Sequence, residues 1–451
     1  MKLEQMTLFE NKQEQEQEQK QEQKQEQKQE QKRKGKKSNK TTFTNNMSLP
    51  IHRWFRYSAG FSAEWAESII QKYNHTNRED FQVFDPFAGS GTVLIASDKS
   101  NVIGAGVDSH PFVSRMTKAK LLWETDTLDL RNYTAKILAK AEFLKNDKLD
   151  SYPDLIYKCY PEEILLQLQA IKKALMLEED KESNLYQLSW LALVPILRAC
   201  STAGTAQWQY IQPSKKTKAK IPFETYKNQI SIMIDDMLLY QNEVGKSRAL
   251  FYKEDARNCP SIEENWADLI ITSPPYANNY DYADATRLEM SFFNEISGWG
   301  DLQEKVRPNL IRACTQHVSK LKNETFDILQ DSLLEPIYNE IYGTCKELEL
   351  ERENHGGKKN YHTMIATYFL DMAKVWLELR RICKEGSTVC FVIGDSAPYG
   401  VYVPVDEWLG KLAISAGFKE FYFEKERDRN TKWKNRKHDV PLKEGFLWVR
   451  G

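Results

Sequence analysis

Phe81-Gln82-Val83-Phe84-Asp85-Pro86-Phe87-Ala88-Gly89-Ser90-Gly91-Thr92 runs from a short apolar strand through an acid into a glycine-rich turn, and a helical stretch follows. Gly89 and Gly91 lack a Cβ, so the backbone can bend sharply there and a ligand can approach closely. Free N–H groups at the start of the next helix would receive an acceptor. A second strand, Val102 to Val107, ends at Asp108. Strand, glycine turn, helix, strand and acid, in that order, open a doubly wound α/β sheet of the Rossmann kind. Asp108 then stands where such sheets grip the two hydroxyls of a ribose. A phosphate cradle fits poorly: there is no Gly-x-x-x-x-Gly-Lys, and Asp85 would repel a pyrophosphate. A nucleoside carrying positive charge is the better guest.

Upstream, Ser62 can cap a helix to Tyr73 in which Trp65, Ile69 and Tyr73 repeat at spacing four. Downstream the alternation of strand and helix stops. From about Lys120 to Gly245 the pattern is mostly helical, and inside it lies a basic stretch from Ser201 to Lys220. Strand signals return at Leu250 to Tyr252, before Asp255, and at Asp268 to Thr272. Asp255 could accept a hydrogen bond from an adenine amine, although an aspartate after a strand is more often a turn or a helix cap. A polar region from about Ile296 to Asn360 has no clear period. Then come a helix from Met364 to Cys383, a strand from Val389 to Ile393 and a helix from Trp408 to Ala416. A closing strand pair, Lys419 to Glu424 with Phe446 to Arg450, ends the pattern. The expectation is one α/β core over residues 47–451, with insertions at about 120–248 and 296–360.

Ser273-Pro274-Pro275-Tyr276 follows the apolar run Leu269-Ile270-Ile271, at the carboxyl edge where such sheets bind ligands. Two prolines fix the backbone and remove two N–H donors, leaving carbonyl oxygens as acceptors. Ser273 adds a hydroxyl and Tyr276 a flat face. This set suits an amine on a planar ring. A rigid Pro-Pro turn with a buried tyrosine would use the same residues.

Together the two motifs resemble those of the S-adenosylmethionine-dependent amino-group DNA methyltransferases. Asp85 through Thr92 looks like their methyl-donor motif and Thr272-Ser273-Pro274-Pro275-Tyr276 like their catalytic motif. Serine in the leading place is typical of the enzymes that modify the N4 amine of cytosine. Adenine-N6 enzymes usually carry Asp or Asn there. The segment from His52-Arg53-Trp54 to Gly60-Phe61-Ser62 sits where the family has its donor-side helix. The resemblance implies that Asp85, Pro86, Phe87, Gly89, Gly91, Thr92, Asp108 and Asp255 hold S-adenosyl-L-methionine. It implies that Ser273, Pro274, Pro275 and Tyr276 receive a base extruded from double-stranded DNA. It also implies a restriction-modification role with a cognate restriction endonuclease. Adenine-N6 methylation and RNA guanine-N2 methylation are the alternatives. The two insertions lie outside the resemblance and are the candidates for target recognition. Gln207 to Lys220 interleaves aromatic and basic residues; Arg307, Arg312, Lys320, Lys358 and Lys359 form a second, weaker set.

The composition sets outer bounds. Among 451 residues, 63 Lys and Arg against 64 Asp and Glu exclude a uniformly basic coat but not a local basic patch. No apolar run approaches the roughly 20 residues that span a bilayer. Seven scattered cysteines, Cys200 and Cys259 among them, suggest ordinary thiols in a reducing cytoplasm. No metal-ligand spacing stands out, and His110 and His355 are expected to be structural or exposed. Residues 1–46 read as a disordered, low-complexity tail, because the Gln-Glu-Gln-Lys repeat stacks like charges four residues apart with nothing apolar to bury. Gln5-Met6-Thr7-Leu8-Phe9 within it resembles the short peptides that dock on the replication sliding clamp.

Overall fold

The computed structural model describes residues 40–206, 209–429 and 440–451. The repeat and the clamp-like peptide lie outside them. Lys40 to Asn46, assigned to the tail from sequence, have defined partners instead. The Lys40 carbonyl accepts from Ser62 N, and the Asn46 amide joins Phe61 O at 2.8 Å to Ala63 N at 2.9 Å.

Nine strands are described: β1 (Gln82–Asp85), β2 (Ile103–Val107), β3 (Ala203–Thr205), β4 (Ile211–Lys216), β5 (Leu250–Tyr252), β6 (Ala267–Thr272), β7 (Cys383–Gly394), β8 (Glu420–Arg429) and β9 (Leu442–Arg450). Seven form one sheet in the order β5-β2-β1-β6-β7-β9-β8. The first five are parallel, and β9 runs antiparallel to both of its neighbours. The chain leaves β1 for β2 on one side, while β6 pairs on the other. A crevice therefore opens between the carboxyl ends of β1 and β6, where strand order reverses.

Period-two burial explains the layers. Val83, Leu269, Ile271, Cys390 and Val392 face the helix Ala63–Tyr73, which contributes Trp65, Ile69 and Ile70. Phe84, Ile270, Val389 and Phe391 face the opposite way, onto the helix Tyr361–Ile382 with Trp376 and Phe369. Ser62 caps the first of these helices by accepting from Trp65 N, as its sequence position predicts.

The stretch between β2 and β5 is helical, including Thr127–Leu144, Glu162–Met176, Asn184–Ala199 and Pro222–Glu243. Within it the basic run forms a β3–β4 hairpin. The polar region before residue 360 is mostly short turns, but Tyr338–Asn354 is a full helix that buries Ile341, Cys345 and Leu348 against the sheet's own core. Among the described residues no helix is long and apolar enough to cross a membrane.

Candidate active site

Both motifs emerge at the crevice between β1 and β6, and one hydrogen bond joins them. Asp85 Oδ1 accepts from Thr272 Oγ1 at 2.5 Å and from Phe87 N at 3.0 Å, tying segments 187 residues apart. Asp85 is buried, and burial pushes its carboxyl up to about 7 against those two hydrogen bonds. It stands behind the wall of the site rather than on it.

The turn beyond Asp85 needs its glycines. Gly89 has φ +50°, and a Cβ there would lie 2.9 Å from Tyr57 Cε1; Gly91 has φ +78° at the entrance to the helix Thr92–Lys99. Asp108 braces the turn from β2: Oδ2 accepts from Gly89 N at 3.0 Å and Oδ1 from His110 N at 2.8 Å. Burial raises its carboxyl to about 6. Thr117 donates to Gly89 O, and the buried Lys120 ammonium donates to Ser90 O at 3.0 Å. Burial lowers Lys120 to about 7.

A cleft opens beside this turn. Its wall includes Pro86, Phe87, Gly89, Asp108 and Asp255 from the donor set, together with Ser273 and Pro275 from the catalytic set. Asp85, Gly91, Thr92, Pro274 and Tyr276 are not on that wall. Asp255 carries its own cation, a bidentate pair with Arg257 at 2.9 and 2.5 Å. Ser273 Oγ donates to Val392 O at 3.2 Å and also hydrogen-bonds with the Tyr276 side chain. Tyr276 flanks the prolines. Its N–H donates to the Tyr282 hydroxyl at 3.2 Å, and the Arg429 guanidinium lies 5.3 Å from its ring centre.

Sequence reasoning missed Tyr57, His110, Tyr282 and the strip Asn309–Ile311, all on the cleft wall. His110 caps the helix Pro111–Lys120 through Nδ1 and meets Thr286 Oγ1 at 3.1 Å, so burial holds it neutral, at about 4. His355 is exposed and stacks on Tyr399. The donor-side segment is not a helix but a 3-10 turn, His52–Trp54, followed by irregular chain as far as Ala63. Asp281, Cys314 and His317 bring ligand-type atoms within 4.8 Å of one another. Arg307 already gives that carboxylate its positive charge at 2.5 Å. All seven cysteines are buried and free.

The cleft joins a glycine turn, two carboxylates and an acceptor-rich proline turn. A family model described as DNA methylase, covering N6 and N4 enzymes, matches residues 3–119, which hold the glycine turn and Asp108. The Type II methyltransferase M.BsoBI of Geobacillus stearothermophilus is 26% identical over 86% of this chain and 83% of its own length. The Type II methyltransferase M.AvaI of Nostoc sp. is 27% identical over 84% and 81%, and the Type II methyltransferase M.MvaI of Kocuria varians 23% over 84% and 83%. The chain is similar to amino-group DNA methylases. The matches to the relatives cover more than four-fifths of this chain, so they reach beyond the glycine turn and the proline motif.

Proposed function

We propose that this methylase transfers a methyl group from S-adenosyl-L-methionine to the N4 amine of cytosine in double-stranded DNA, as the modification partner of a restriction endonuclease. The observation that carries the reading is one cleft walled by Gly89 and Asp108 on one side and by Ser273 and Pro275 on the other. The residues fit the donor. Gly89 leaves room that a Cβ would fill, Asp108 keeps lone pairs for ribose hydroxyls, and Asp255 faces the same space. Two carboxylates and no phosphate-binding loop favour a cationic nucleoside over a nucleotide. The bound donor supplies an electrophilic methyl group on a sulfonium.

The protein's task is to present the amine. The cytosine amine is a weak nucleophile, because its lone pair is drawn into the ring. Ser273 Oγ and the Pro274 carbonyl accept its two N–H bonds and favour a tetrahedral nitrogen. Tyr276 holds the extruded ring by stacking. Catalysis is then positioning and hydrogen bonding, with no covalent enzyme intermediate. The exposed Lys215, Lys216, Lys218 and Lys220 on and beyond the β3–β4 hairpin suit the DNA backbone.

Single-molecule methylome sequencing of DNA from expressing cells tests the reading. N4-methylcytosine at one recurring word is the expected result. N6-methyladenine alone would move the enzyme to the other branch of its family, and unmodified DNA would refute the activity.

A further inference from the structure

An insertion that only reads DNA would leave the donor pocket intact. Here the segment that walls the pocket is held from outside the sheet. Asp236, on the helix Pro222–Glu243, is buried and accepts from Ile51 N at 3.1 Å, Arg53 Nε at 3.0 Å and Trp54 Nε1 at 2.9 Å. Ile51 has φ +62°, a conformation a β-branched residue adopts only when its surroundings impose it. Ile51, Trp54 and Phe55 bury their side chains in the core formed by the insertion's helices.

The second grip is closer to the ligand. Gln209, buried at the tip of the β3–β4 hairpin, uses one side-chain amide on both peptide groups that flank Tyr57. Its Oε1 accepts from Ser58 N at 2.7 Å and its Nε2 donates to Arg56 O. Gln209 is itself fixed, because its carbonyl accepts from Arg198 Nη1 at 2.7 Å. Arg198 is bound to Glu289 and to Ala285 O. Tyr57, between the two grips, lines the cleft with its ring against the Gly89 turn.

We propose that the insertion between β2 and β5 is a working part of the donor site, with Gln209 as the positioning residue that sets Tyr57 over the Gly89 turn. The inference rests on the donor reading given above. The same hairpin that offers lysines to DNA thereby fixes the donor wall, so the two substrates meet through one loop.

The test uses the full chain, isothermal titration with S-adenosylmethionine, and steady-state kinetics on cognate DNA. Gln209→Ala loses both bonds to the flanking peptides. Gln209→Glu has the same shape but loses the donor to Arg56 O while keeping the acceptor for Ser58 N. Donor Kd and donor KM should rise about tenfold in Q209A and less in Q209E, with kcat at saturating donor and DNA affinity within about twofold of wild type. A merely structural role would lower kcat and the melting temperature together without this split. If Q209A does not fold, Q209E carries the test. Wild-type donor affinity in both variants, or a loss confined to DNA binding, overturns the inference. Failure of the wild-type chain to bind the donor instead overturns the donor reading, and the inference falls with it.

Discussion

Replacing Gly89 by alanine tests how the donor turn is built. Two costs follow from its geometry. The residue sits at φ +50°, and an L side chain in the left-handed region costs about 1–2 kcal/mol. The new Cβ would also lie 2.9 Å from Tyr57 Cε1, so the ring must move by several tenths of an ångström. Forced repacking of that kind costs about 1–3 kcal/mol. Tyr57 cannot retreat freely, because Gln209 fixes the peptides on either side of it. Gly89→Ala should therefore lower unfolding stability by about 2–5 kcal/mol and weaken donor binding about tenfold. A double-mutant cycle with Tyr57→Ala separates the costs. Without the ring only the dihedral cost remains, so G89A should cost about 1–3 kcal/mol less in the Y57A background by urea denaturation. If G89A costs the same in both backgrounds within about 0.3 kcal/mol, the contact with Tyr57 is not what the glycine serves.

Ser273→Ala and Tyr276→Ala should each cut turnover at least about a hundredfold while donor Kd by titration stays near wild type; full activity in Y276A would refute the stacking role. Asp85 gives a pH signature. Its folded-state pKa, about 7, lies above the ordinary aspartate value of 3.8, so between those values the unfolded chain has released a proton that the folded chain retains. Stability must then fall as pH rises through that window and level off above it. Asp85→Asn should flatten the fall in melting temperature from pH 4.5 to 7.5, and an unchanged slope would contradict the burial argument. Finally, all seven thiols are buried, and burial pushes those of Cys159, Cys200, Cys259, Cys314, Cys345, Cys383 and Cys390 up, so a thiol reagent should titrate almost none in the native protein and seven after denaturation.

Where local chemistry decides structure, the sequence was legible. The glycine turn, the acid after β2, the proline turn after β6 and the closing pair β8–β9 each announce themselves within about ten residues, and all but β9, which begins four residues before its expected Phe446, lie within two residues or so of their expected starts. Elements stabilised by distant partners were not legible. The β3–β4 hairpin reads Ile211-Gln212-Pro213-Ser214-Lys215-Lys216, with no alternation to mark a strand. The helix Tyr338–Asn354 hides its buried face in Ile341, Cys345 and Leu348 amid charge. Asp236 and Gln209 have partners more than a hundred residues away, and nothing beside them in the chain distinguishes them from any solvated polar side chain. Tyr57 could have been found, since it lies inside the segment already singled out between His52 and Ser62. For the site, Asp108, Asp255 and Ser273, all expected there from sequence, lie on the cleft wall. Asp85 is expected as a ligand contact; its carboxylate lies off that wall and accepts from Thr272.

That brace bears on how the molecule is made. β1 lies between β2 and β6, and its partner on the β6 side is synthesised long after it. Until residues 267–272 leave the ribosome, Val83 and Phe84 belong to an open edge, and an unpaired apolar edge invites pairing with other chains. Closing so long a loop is also slow. Fragments that stop short of Thr272 should consequently aggregate and lack activity, and the enzyme's competence arrives only late in translation.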